Sequence, residues 1–320
     1  MAFKIIRQKI ANSVPVTWVA GKAKKIVLPG FSGMNLYDVV NFFWTQVRKV
    51  GLTERTSAIS FNFIMAIPPM VIFLCTLIPY LPISNEFTEQ LYGLIHDVIP
   101  GENNNKAIIK FLDDILHNER YGLLSAGFIL ALFYSSNAMM GIMRAFDKNY
   151  PGFKKRSGFE TRLTAMQLTL ILLLIMLTCI FLMVAQGAVL NWIGIRAAWL
   201  KRIIENARWI VIVLLFLASI SFIYRHAPFI HKKWKLINPG SVLATTLMLL
   251  FTVLFSYWVN HFSKYNELYG SIGTILILML LIYFNSLVLL IGFELNVSIN
   301  SLIREADERK KLEASGTTAV

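Results

Sequence analysis

The sequence predicts an all-α, polytopic integral membrane bundle with six transmembrane helices. Three observations carry that prediction. Between Glu267 and Glu294 the chain runs 26 residues without a charged side chain. A helix of that length covers about 39 Å at 1.5 Å per residue, more than the roughly 30 Å of a bilayer's hydrocarbon core. A helix apolar on every face is buried in protein or in lipid, and this length selects lipid. Such charge-free windows occur six times, at 56–85, 121–143, 163–195, 209–224, 236–263 and 268–293. The composition agrees: 56% of residues are hydrophobic and only 15% are charged, with a mean hydropathy of +0.59. Soluble domains carry about 25% charge.

Residues 1–33 form a basic tail punctuated by Gly and Pro. Segment 10–21, with Asn12, Ser13, Pro15 and Thr17, is a poor core for a cleavable signal peptide, so the N-terminus is expected to stay. An amphipathic helix follows over 35–50. Leu36, Val39, Val40, Phe43, Trp44, Val47 and Val50 form one apolar stripe, Asn35 is placed to cap the start, and Gly51 follows the end. Its aromatic face and basic end suit the cytoplasmic interface, and docking on the bundle is the alternative.

The membrane domain is expected over 34–300, with spans at about 57–82, 121–145, 163–191, 208–226, 239–262 and 270–296. The loop 84–120 carries seven carboxylates and two amphipathic stripes, which predict short extracytoplasmic helices over the mouth of the bundle. Two spans depart from the ordinary. The first holds Pro68-Pro69 near its middle, where proline removes a backbone donor and predicts a kink or break. The fourth has only 16 charge-free residues, bracketed by Arg208 and Arg225. These open the two three-helix halves, and interrupted or short helices at matching places point to a transport site. Residues 301–320 read as a charged C-terminal tail.

An even number of spans puts both termini on one side. The N-terminal segment, the 144–162 and 225–235 loops and the C-terminus hold 23 of the 31 Lys and Arg. That asymmetry predicts both termini in the cytoplasm. It also accounts for the net charge of +13 without invoking nucleic acid. The loop with Arg196, Lys201, Arg202 and Arg208 runs against the rule. Cys75 and Cys179 sit inside apolar runs and offer neither a disulfide framework nor zinc-ligand spacing.

Several polar and small residues interrupt the spans: Asn62, Asn137, Gly141, Asn285, Gly292 and Asn296. Polar groups in lipid must find partners, so these residues serve helix–helix contact or line a substrate path. Arg144 ends the second span and Glu294 ends the sixth at the same expected depth. A buried Arg144–Glu294 ion pair is therefore expected, beside a close neighbour packed on Gly141.

The polar residues also carry a resemblance. Tyr269-Gly270-Ser271-Ile272-Gly273, then Tyr283, then Leu290-Ile291-Gly292-Phe293-Glu294-Leu295-Asn296 resemble the last span of the YihY/BrkB family, once mislabelled ribonuclease BN. Ser57-Ala58-Ile59-Ser60-Phe61 with Ile67-Pro68 resembles its first span, and Gly141-Ile142-Met143-Arg144-Ala145-Phe146 with Tyr150 the end of its second. Trp234 and Asn238-Pro239-Gly240 resemble the approach to its fifth. The likeness runs in order over roughly 35–300. Phe293, where a small residue is more usual, and Pro69 depart from it. The family name records an association with virulence and implies a bacterial inner-membrane protein.

Catalytic chemistry finds little footing. The five histidines form no dense string with Asp of the kind a metal-dependent ribonuclease needs. Asp113 and His117, four apart on an expected helix, are better read as its solvated face. No phosphate-cradling Gly-rich loop, nucleophile elbow or zincin helix occurs. The expectation is a non-enzyme without cofactor or metal, whose partners are the bilayer and a small or amphiphilic envelope compound that it transports or flips. A non-transporting scaffold in envelope assembly is the alternative.

Overall fold

A computed structural model describes residues 22, 26, 34–49, 51–77, 121–147, 156–192, 198–230, 233–261 and 271–314. They form seven α-helices and no strand: α1 Leu36–Lys49, α2 Leu52–Leu77, α3 Tyr121–Phe146, α4 Gly158–Trp192, α5 Ala198–His226, α6 Pro239–His261 and α7 Ser271–Ala314. The expected short helices over 84–120 lie outside the described residues. So does nearly all of the 1–33 tail.

Five of these helices are long and apolar enough to cross a membrane; the apolar part of α5, Ile210–His226, is shorter. This is the same fourth segment whose charge-free window was short in the sequence. From α2 to α7 each helix packs on the next in chain order, and α7 returns to α2. The result is a closed ring of six helices. Arg55, Phe146, Gly158, Tyr224, Pro239 and Glu294 all lie near one end of it, where the largest core cluster sits.

The helix starts follow from local chemistry. Asn35 Oδ1 accepts the Asp38 N–H at 2.9 Å, which caps α1 as expected. Gly51, with φ of 63°, lets the chain turn sharply from α1 into α2. Helix α1 lays Leu36, Val39 and Phe43 against Leu295, Ile299 and Ile303 of α7. Val40 and Trp44, from the same predicted stripe, remain exposed. One edge of the stripe therefore docks on the bundle, and the other is left to its surroundings.

Two expectations need correction. Helix α2 runs unbroken from 52 to 77 through Pro68-Pro69, with Pro68 exposed and Pro69 half-buried. Proline costs the ladder its donors, but packing of α2 along α3 maintains the helix on both sides of the pair. The second concerns the C-terminal tail, which is not separate. Helix α7 continues as one 44-residue helix to Ala314, because the charged run after Asn300 has good helix formers and an Arg304–Glu308 pair at i, i+4.

The ring differs between its two ends. At the end just described, side chains of α3, α5, α6 and α7 interlock. Toward the other end α2, α3 and α4 stay in contact through Phe73, Ala131 and Leu173, but α5, α6 and α7 do not close up. Ile210, Val211, Val213 and Leu214 of α5 are exposed, as are Leu250, Val253 and Leu254 of α6. On α7, Ile275, Leu276, Leu278, Met279 and Leu280 are all exposed, which covers the whole helix circumference. We refer to the packed end and the splayed end.

Candidate functional site

The polar residues singled out in the last span converge at the packed end. Glu294 is fully buried, and its Oε1 accepts a hydrogen bond from Arg55 Nη1 at 2.7 Å. Arg55 stands in the first turn of α2, placed there by the Gly51 turn, and is 9% exposed. The pair ties the first long helix of the ring to the last. Its burial makes each charge depend on the other, since an isolated ion out of water is costly. Arg55 Nε and Nη2 are buried as well and have no hydrogen-bond partner among the described residues.

This overturns the expected Arg144–Glu294 pair. Arg144 does end α3 at the packed end, but its side chain is exposed. Depth along the membrane admits either arginine as the partner. Direction around the helix axis decides, and it points Arg144 away from α7. The available signal was that Arg55 immediately precedes the first charge-free window, at the same depth as Glu294.

Two residues after Glu294, Asn296 acts on the start of α6. Asn238 caps that helix by accepting the Ser241 N–H at 2.8 Å, and Pro239 takes the first helical position. Asn296 Oδ1 accepts the Gly240 N–H at 2.9 Å, and its Nδ2 donates to Asn238 Oδ1 at 2.6 Å. The orphan donors of one helix N-terminus are thus met by a side chain of another helix. Gly292, one turn earlier, makes this proximity possible. A Cβ there would fall 2.6 Å from the Gly240 carbonyl oxygen and 2.8 Å from the Ala244 Cβ.

Around this polar seam lies an aromatic plug. Phe293 is stacked on Phe146 with centroids 3.8 Å apart, and Trp234 and Tyr224 close its other sides. The Tyr224 hydroxyl donates to the Leu289 carbonyl at 2.6 Å. Phe293, the departure from the family pattern, fills the centre of the packed end, facing α3 across the ring.

The remaining candidates scatter. Asn62 donates to its own helix at Ala58 O and lies against Gly141, the close neighbour expected there. Asn137 accepts from Arg162, whose guanidinium also lies 4.5 Å over the Phe133 ring. Asn285 bonds back to Leu281 O within its helix. Of the candidate residues, the structure joins Gly292, Glu294 and Asn296 into one site and pairs Asn62 with Gly141. It leaves Pro68, Pro69, Arg144 and Asn285 apart.

Comparison with known proteins places this arrangement. The chain is 30% identical over 259 residues to the putative ribonuclease-like protein YfkH of Bacillus subtilis, covering 80% of this chain and 92% of that one. It is 21% identical to the UPF0761 membrane protein NTHI0384 of Haemophilus influenzae over 83% of this chain and 96% of the relative. With a UPF0761 membrane protein of Chromohalobacter salexigens it shares 24% identity over 76% of its own length, which spans 58% of that protein. No solved structure matches. The family model described as virulence factor BrkB matches residues 43–317, from within α1 past the end of α7. With its several apolar helices long enough to span a bilayer, the chain is a multi-pass membrane protein and belongs to the BrkB family.

Proposed function

We propose that the protein is a transporter or flippase-like protein of the bacterial inner membrane, with both termini and the packed end in the cytoplasm. Its cargo is a small or amphiphilic envelope compound. The observation that carries this reading is the contrast between the ends of the ring. Three helices that interlock around buried polar groups at one end present apolar side chains on all faces at the other. An amphiphile's chains are soluble among such faces, and a buried ion pair at the opposite end supplies a polar stop. The ribonuclease-like name of the Bacillus relative is set aside in this reading, because the sequence has no dense His and Asp string to hold catalytic metals.

The scaffold alternative has its own support, the dry aromatic packing of Phe146, Phe293, Tyr224 and Trp234. Reconstitution into liposomes separates the two. A screen of lipid and solute flux gives protein-dependent movement of at least one amphiphile if the protein transports, and none above protein-free vesicles if it only assembles. Orientation is tested apart from function. Single cysteines at Asn104 and Lys155, labelled from outside intact cells, should react at 104 and not at 155.

A further inference from the structure

Outside the ring's polar seam, the packed end carries a cleft at the junction of α3, α4 and the link between α5 and α6. Met140, Arg144, Asp147, Arg156, Thr161 and Phe229 are among its lining residues. Its depth is set by the spans. Arg144 lies in the last turn of the apolar helix 124–146, and Arg156 stands just before the apolar helix 158–179. Phe159 and Ile237, exposed at the same end, are placed to enter the interface. The cleft therefore sits where lipid headgroups lie.

The two arginines differ. Arg156 is held: its guanidinium donates to the backbone carbonyls of Ala227 at 3.2 Å and His226 at 3.4 Å and lies 4.7 Å over the Phe229 ring. It caps the end of α5 and forms a fixed, cationic wall. Arg144 is exposed and makes no hydrogen bond or ion pair among the described residues. Asp147 is the carboxylate on the lining, so the arginines outnumber it. A planar guanidinium beside a second, immobilised one is suited to a phosphate oxyanion, which accepts paired N–H donors.

We propose that this cleft binds the phosphate of an anionic phospholipid headgroup, with Arg144 as the adaptable contact and Arg156 as the fixed one. The inference is independent of whether the protein transports anything.

The test uses the full chain purified in a neutral detergent, offered phosphatidylglycerol or phosphatidylcholine, with bound lipid counted by native mass spectrometry. Wild type should retain phosphatidylglycerol in preference. Arg144→Gln should lower that preference roughly fivefold, the order expected for one basic residue near anionic lipid. Asp147→Asn should raise it, and this opposite sign guards against reading a misfolded Arg144 variant as a result. Inorganic phosphate at millimolar concentration is the competing arm. It should displace the lipid only weakly, because the tails no longer contribute. Equal retention of both lipids, no change in either variant, or binding of free phosphate as tightly as of the lipid would overturn the proposal.

Discussion

The packed and splayed ends are built from the same three helices, α5, α6 and α7, and differ in residue size and polarity. At the packed end Gly240, Gly292 and Ala244 let α6 and α7 approach until backbone atoms are near contact. Asn296, Asn238 and Ser241 then bridge the gap with hydrogen bonds. At the splayed end the corresponding stretches are almost all large aliphatic residues. In water such faces would be driven together. In lipid they have no such drive, because the acyl chains are as apolar as leucine, and close packing requires small residues and polar links. Hydrophobicity thus places these helices in the membrane, but glycine and asparagine decide where along their length they meet.

The largest effect that can break this comparison lies in the ion pair. Arg55→Ala or Glu294→Ala should each cost about 3–5 kcal/mol, much of it from the stranded partner charge. Denaturant unfolding of the detergent-solubilised protein measures it. The exchange Arg55→Glu with Glu294→Arg should recover part of the loss, whereas Arg144→Glu with Glu294→Arg should recover none. A single-variant cost below about 1 kcal/mol would mean the pair behaves as a wetted surface bridge.

A smaller loss is expected at the seam. Asn296→Ala leaves the Gly240 N–H without its acceptor and should cost about 1–3 kcal/mol. Asn296→Asp restores an acceptor for Gly240 but loses the donor to Asn238, and should recover only part of that. Equal losses for the two variants would show that the Gly240 bond contributes little.

The smallest effects belong to the splayed end. Leu254→Ala and Ile275→Ala should shift stability by no more than about 0.5 kcal/mol. A loss near the 2–5 kcal/mol of a buried large-to-small change would show that another surface covers these faces. The comparison would then be one between an intramolecular and an intermolecular contact.

How much of this was legible in the chain follows from the kind of information each feature uses. Membrane insertion depends on local composition, so the apolar segments and the shortness of the fourth stand out directly in sequence. So do the cap at Asn35 and the turn at Gly51, which are settled within a few residues. Gly292, Glu294 and Asn296 were visible as interruptions in an apolar run. The partner of Glu294 was not, because Arg55 and Arg144 lie at equal depth and the azimuth of each helix is set by its neighbours. The unbroken α2 was missed because proline's local penalty was weighed without the packing of α3 along it. The reach of α7 was missed because loss of hydrophobicity was read as loss of helix, when it marks only the edge of the lipid.

That reach has a mechanical consequence. At 1.5 Å per residue the 44 residues of α7 measure about 66 Å, over twice the hydrocarbon thickness. Glu294 fixes the rod to α2 part-way along, leaving an arm of about 30 Å from there to Ala314. A tilt of ten degrees about that anchor carries the tip through about 5 Å, the length of one helical turn. Helix α1 is strapped to the near part of the same arm through Val39 on Leu295 and Ile299. Small rearrangements where the helices interlock are thus magnified, at the end of a stiff lever, into displacements large enough for another molecule to register.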